Sequence, residues 1–145
     1  MKLENQMNMT VISKSSNESF SRAAVSAFVA QLDPTIEEIS DIKTAVSEAV
    51  TNCIVHAYNN SLGKIYITVQ LYDDRTVKIK IKDKGCGIND IDLAMQPMYS
   101  SLGGERAGLG FAVMQSFTDK LKVSSKVDKG TVVTLTKKLS YRVSK

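Results

Sequence analysis

Glu48-Ala49-Val50-Thr51-Asn52-Cys53-Ile54-Val55-His56 lies within a long stretch of helical periodicity, and its two faces differ in kind. At about 100° per residue, Glu48, Asn52 and His56 fall at i, i+4 and i+8 and form a polar strip. Ile39, Ile42, Val46, Ala49, Val50, Cys53 and Ala57 gather on the other side, which is the side to bury. A surface helix normally stays solvated with Lys and Glu. This strip instead offers one carboxylate, one carboxamide and one imidazole, as the wall of a site would.

Upstream, Asp33-Pro34-Thr35-Ile36-Glu37-Glu38 is a helix start, with Pro near the first turn and Thr35 and Glu38 at capping-box spacing. The periodicity runs to about Tyr58 and is broken by Asn59-Asn60-Ser61-Leu62-Gly63. Before it, Ser15 and Glu18 also stand at capping-box spacing and open a helix over 19–32. Phe20, Ala24, Ala27, Phe28 and Leu32 are its apolar stripe, with Arg22 and Gln31 exposed. Met7, Met9 and Val11 alternate as one face of a first strand.

Downstream, Ile65, Ile67, Val69 and Leu71 alternate with polar residues. After Asp73-Asp74-Arg75, Val77, Ile79 and Ile81 alternate with lysines. The pair reads as an antiparallel hairpin with one buried and one wet face. A short helix is predicted over 89–96, an aperiodic glycine-rich loop over 98–110, a helix over 109–119, and a last hairpin of strands 121–127 and 131–139. Hairpins rather than regular crossovers predict an α+β two-layer sandwich, a mostly antiparallel mixed sheet with helices on one face, built as one domain over 1–145.

Composition narrows the function classes. Hydrophobic residues make up 43% and charged residues 23%, as in an ordinary globular protein, and the +4 charge is spread along the chain without a nucleic-acid footprint. The two cysteines have no zinc or disulfide spacing. No apolar run approaches the roughly 20 residues that span a bilayer, and the first residues lack the apolar core of a signal peptide. The expectation is a cytoplasmic protein with no direct nucleic-acid or membrane partner.

Three motifs carry candidate chemistry. Asp83, at a strand end before Gly85 and Gly87, can accept from an exocyclic amine while the chain turns beneath a flat ring. Gly108-Leu109-Gly110 at a helix start can turn amides toward phosphate. Asn52 offers a neutral oxygen to a hard cation such as Mg²⁺, with Glu48 one turn away as a general base. His56 is read as packed or capping near the helix end.

In the order Glu48-x-x-x-Asn52, Asp83-x-Gly85-x-Gly87 and Gly108-x-Gly110, with a fourth, Gly130-Thr131, after them, these motifs make the chain resemble the GHKL superfamily of ATP-binding domains. Within it, Glu18-Ser19-Phe20-Ser21-Arg22, Ser47-Glu48-Ala49-Val50-Thr51-Asn52 and Glu105-Arg106-Ala107-Gly108-Leu109-Gly110-Phe111 are similar to the small anti-sigma factors of spore-forming bacteria that are also serine protein kinases. The resemblance implies the Bergerat-type ATP-binding fold, ATP and Mg²⁺ as cofactors, a homodimer, and two partners, a sporulation sigma factor and an anti-anti-sigma protein phosphorylated on serine.

It further implies that Asn52 holds Mg²⁺, Glu48 acts on the serine hydroxyl, Asp83 and Thr131 meet adenine, and Gly85 and Gly87 line its pocket. Gly108 and Gly110 would cradle phosphates, Arg106 would meet the γ-phosphate, residues 97–107 would form a lid, and Arg22 would contact protein partners. Where relatives often carry Thr-Thr-Lys in the lid, this chain has Ser100-Ser101-Leu102. Other readings are an anti-sigma kinase of stress response, a nucleotide-gated sigma-binding module without kinase activity, and a detached histidine-kinase domain. The last is disfavoured because the one histidine, His56, lies in the nucleotide helix.

Overall fold

The computed structural model describes residues 1–59, 61–88 and 106–141. The chain runs β1 (Leu3–Ile12), α1 (Ser16–Val29), a 3-10 turn (Ala30–Leu32), α2 (Ile36–Asn52), a π-helical turn (Cys53–Ala57), β2 (Lys64–Tyr72) and β3 (Thr76–Asp83). It continues with α3 (Arg106–Ser116), β4 (Lys120–Lys126) and β5 (Gly130–Lys138). The predicted short helix over 89–96 and the lid residues before Arg106, including Ser100, Ser101, Leu102 and Glu105, lie outside the described residues.

The strands form one five-stranded sheet in the order β1-β2-β3-β5-β4. All four pairings are antiparallel. Ile65, Ile67, Val69 and Leu71 of β2, Val77, Ile79 and Ile81 of β3, and Val133 and Leu135 of β5 point to the helices and are almost completely buried. Lys78, Lys80 and Lys82 take the opposite face, as period-2 alternation requires. The fold is the predicted α+β sandwich, with its core between one sheet face and the helices.

Helix α2 is the central helix. Ile42, Ala45, Val46, Ala49 and Val50 are buried along it. Its start is the predicted capping box: the Glu38 N–H donates to Thr35 Oγ1 at 3.0 Å, and the Thr35 N–H donates to Glu38 Oε1 at 2.8 Å. Glu38 also accepts the Ser140 N–H at 2.7 Å, which ties the cap to the chain after β5. A second tie is the ion pair of Lys137 on β5 with Asp41 at 3.3 Å.

Helix α1 departs from expectation at both its start and its face. Ser15 is its N-cap residue, but the backbone there is already helical and its side chain makes no capping bond. The buried positions are Ser21, Val25, Ser26 and Val29, while Phe20 stays 55% exposed and Ala27 is exposed. Weighting the stripe by its aromatics put the face one residue out of phase. Two serines take buried positions on α1, which packs chiefly on α2, and the Ser26 hydroxyl donates to the Ala23 carbonyl at 3.0 Å. Phe28 and Leu32 of the predicted stripe do pack against the core.

Thr35→Ala is expected to lower stability by about 1 kcal/mol, because it removes a formed cap, whereas Ser15→Ala should leave stability nearly unchanged. Urea unfolding midpoints of the two variants against the parent chain check both.

Candidate functional site

The site begins where β3 ends. Asp83 is only 4% exposed. Its Oδ1 accepts two backbone N–H groups, Gly85 at 2.9 Å and Thr131 at 3.2 Å, and the Cys53 thiol donates to its Oδ2 at 3.6 Å. Burial pushes the Asp83 carboxyl above the ordinary aspartate range, although those three hydrogen bonds pull the other way. Burial, with the Asp83 carboxylate second, also pushes the Cys53 thiol well up, so Cys53 stays a donor.

The glycines after Asp83 are fixed by how closely backbones approach. A Cβ on Gly85 would stand 2.2 Å from the Ala57 carbonyl oxygen, at the end of the π turn, and the Cys86 N–H donates to that oxygen at 2.9 Å. Gly87, at φ +76°, lies against the Lys126 carbonyl, and the Cys86 carbonyl accepts the Asp128 N–H at 2.8 Å. The turn is thus clamped between the end of the central helix and the β4–β5 turn. Gly85 and Gly87 therefore have a packing reason to be glycine, since a side chain at either would collide with the backbone it rests on.

The second half of the site faces α3. A Cβ built on Gly110 would lie 3.1 Å from Asn52 Oδ1 and 3.3 Å from Glu48 Oε2. Only a glycine leaves both side chains in place there. Asn52 is buried at both polar atoms, and neither has a hydrogen-bond partner among the described residues. A buried carboxamide without partners is costly, and an oxygen-seeking cation or a hydrogen-bonding ligand would relieve it. Arg106 and Gly108 lie in the first turn of α3, whose N-terminal amides and dipole suit an anion.

The expected residues therefore fall into two adjoining groups: Asp83, Gly85, Gly87 and Thr131, then Glu48, Asn52 and Gly110 with the start of α3. Asn52 and Cys53 are consecutive and join them. The α3 helix begins three residues before its predicted start, so Arg106 and Ala107 are helical rather than loop. Arg22 lies outside both groups. It is half-exposed, 3.4 Å from Ser47 Oγ and 3.7 Å from Glu18.

The polar strip ends sooner than the periodicity implied. After Asn52 the helix widens into the π turn, where the Tyr58 N–H donates to the Cys53 carbonyl at 3.1 Å. A π turn shifts the phase of the residues after it, so His56 does not continue the line through Glu48 and Asn52. Three residues escaped sequence reasoning. Cys53 is core, as read, and what escaped is its bond to Asp83. Tyr58 bridges the start of β2 and the chain after β3, its hydroxyl accepting the Lys84 N–H at 2.8 Å and donating to the Lys64 carbonyl at 2.5 Å. Ser125 stands opposite Thr131 in the last hairpin. Counting back from Asp128-Lys129 as a turn was the one available signal for Ser125.

Comparison with known proteins agrees over most of the chain. The family of the histidine kinase-like ATPase domain matches residues 16–137. The anti-sigma F factor of Caldanaerobacter subterraneus subsp. tengcongensis is 56% identical over 138 residues, covering 94% of this chain and 96% of that protein. The anti-sigma F factor of Priestia megaterium is 47% identical over 140 residues, covering 95% of each. Among solved structures, the RsbU and RsbW domains of Rv1364c from Mycobacterium tuberculosis superpose with a TM-score of 0.70 at 22% identity, covering 96% of this chain and 34% of that one. The mycobacterial sensor histidine kinase MprB gives 0.58 at 15%, covering 92% of this chain and 100% of that one. At those identities the structures speak for the fold alone.

The raised Asp83 carboxyl has a signed consequence. The folded chain holds its proton more tightly than the unfolded chain, so this group's contribution is greatest at low pH. It declines as pH rises from the ordinary 3.8 through the raised value. The stability of Asp83→Asn relative to the parent chain is therefore expected to improve with pH across that window. Urea midpoints of both proteins at a series of pH values check it, and a flat or falling difference contradicts it.

Proposed function

The chain belongs to the family of histidine kinase-like ATPase domains in the GHKL superfamily, and from that premise we propose that it is an anti-sigma factor and protein serine kinase. In this reading it sequesters a sporulation sigma factor. It uses Mg-ATP to phosphorylate a serine of an anti-anti-sigma protein, and so switches between the two partners. Relatives 47–56% identical over nearly their whole length bear the name anti-sigma F factor, which supports the sigma-factor partner and the switching role.

The observation that carries the kinase part is the meeting of Glu48, Asn52 and Gly110 at the N-terminal end of α3. A module that only bound nucleotide would have no use for a carboxylate at that point. In the proposed mechanism Asp83, with its Oδ1 taken by two amides, offers Oδ2 to the exocyclic amine of adenine, and Thr131 supports it. The turn carrying Gly85 and Gly87 forms the floor beneath the ring.

Gly108, Gly110 and the amides at the start of α3 accommodate the phosphates, and Arg106 carries the charge for the γ-phosphate. The Asn52 carboxamide, buried without a partner among the described residues, fits Mg²⁺ as a neutral oxygen ligand. When bound, Mg²⁺ would neutralise phosphate charge during transfer. Glu48 takes the proton from the attacking serine hydroxyl onto its carboxylate as the serine oxygen bonds to phosphorus and the bond to the leaving diphosphate breaks.

Arg22, reaching toward Ser47 beside Glu48, is the candidate contact for protein partners. The active unit is proposed to be a homodimer in the cytoplasm. No helix among the described residues is long and apolar enough to cross a membrane.

The test is transfer of label from γ-labelled ATP with Mg²⁺ to a serine-containing anti-anti-sigma protein. Glu48→Gln is expected to lower transfer by roughly a hundredfold or more while ATP still binds. Asn52→Ala is expected to abolish Mg²⁺-dependent binding and transfer together. If ATP and a sigma factor are held but no phosphate moves in the parent chain, the protein is a nucleotide-gated binding module instead.

A further inference from the structure

Ser125 sits on β4 facing Thr131 across the β4–β5 hairpin, and its hydroxyl meets three groups, one after the glycine turn and two at the start of β5. It accepts the Ile88 N–H at 2.8 Å, from the chain just after the glycine turn. It lies 3.1 Å from the Gly130 carbonyl oxygen and 2.7 Å from Thr131 Oγ1. Thr131 is 7% exposed, on the same sheet face as Asp83 and paired with it across β3 and β5.

Counting protons decides how the two hydroxyls are arranged. A serine hydroxyl has one proton and two lone pairs. The Ile88 amide takes one lone pair. If the proton goes to the Gly130 carbonyl, which can only accept, the second lone pair receives the Thr131 proton, and three hydrogen bonds form around Ser125. If the proton goes to Thr131 instead, the Gly130 contact is lost and only two form. The first arrangement makes more bonds, and it leaves Thr131 Oγ1 with lone pairs and no free proton to turn toward the pocket.

We propose that Ser125 is a positioning residue that holds the Thr131 hydroxyl as a hydrogen-bond acceptor toward the purine, so that the site favours an amino over an oxo group at purine C6. This rests on the reading of the site as a nucleotide pocket. Thr131 Oγ1 and Asp83 Oδ2 then both accept, which suits the two hydrogens of an exocyclic amine. An oxo oxygen in its place faces lone pairs from both and loses a bond. Removing Ser125 frees the Thr131 proton to rotate and donate, and the penalty on the oxo purine falls.

Dissociation constants for ATP and for inosine triphosphate, the 6-oxo counterpart, test this by calorimetry on the parent chain, Ser125→Ala, Ser125→Thr, Thr131→Val and the double variant Ser125→Ala with Thr131→Val. The ratio of the two constants is expected to fall roughly tenfold in Ser125→Ala, about the value of one hydrogen bond, and to be retained in Ser125→Thr. In the Thr131→Val background, Ser125→Ala should leave the ratio where it is.

A merely structural serine would weaken both nucleotides in parallel, and an unchanged ratio in Ser125→Ala overturns the proposal while leaving the nucleotide pocket standing. A parent chain that binds neither nucleotide overturns both. Should Ser125→Ala fail to fold, as judged by circular dichroism, Ser125→Cys carries the same test, because a thiol is a weak donor to Gly130. A parent-like ratio in that variant overturns the proposal too.

Discussion

A carboxylate taken out of water must find donors inside the protein, and almost everything around this site depends on how Asp83 finds them. Its donors come from the turn after it, from β5 and from the central helix, three elements far apart in the chain. To supply them, the glycine turn must fold back tightly, β5 must pair with β3 in register, and the helix must bring Cys53 within reach. Because two donors share one oxygen and the third is a weak thiol, the second oxygen keeps most of its accepting capacity. The same contacts that meet the burial leave one carboxylate oxygen open to accept.

The two ends of the site store cost differently. At Asp83 hydrogen bonds offset part of the burial penalty, and the remainder shows as a raised affinity for the proton. At Asn52 it is not met among the described residues: a carboxamide is buried with neither end bonded. Unsatisfied groups of this kind are found where a ligand completes the bonding. The glycine at 110 contributes by absence, since a side chain there would fill the space beside Asn52 and Glu48.

Much of this was legible in the sequence, for reasons that can be named. The strands around Ile65–Leu71 and Val77–Ile81 and the core face of the helix from Ile42 to Cys53 follow from periodicity, which depends only on local geometry. The Thr35 and Glu38 cap was readable because its partners are three residues apart. The identical spacing at Ser15 and Glu18 did not form a cap, since the chain enters α1 already in helical conformation. The features that stayed hidden depend on phase or register. The face of α1 was missed because a serine-rich packing surface looks polar, and His56 because a π turn leaves no mark in composition. The roles of Cys53 and Ser125 exist only once β3, β4 and β5 are laid side by side. The order of the motifs identified the superfamily, while the donors that hold each motif in place came from the fold.

The strand order has a consequence for the life of the chain. Since β5 lies between β3 and β4, the strand that completes the bonding of Asp83 is made after every other described strand. A nascent chain that has delivered α2, β2 and β3 but not residue 131 holds an acid with a missing donor and a glycine turn supported on one side only. If Asp83 and Thr131 hold the nucleotide as proposed, that capacity arrives only with the hairpin carrying Thr131, and a chain cut before it is silent rather than half-active. In the proposed reading, nucleotide capture therefore also reports that synthesis has passed residue 131.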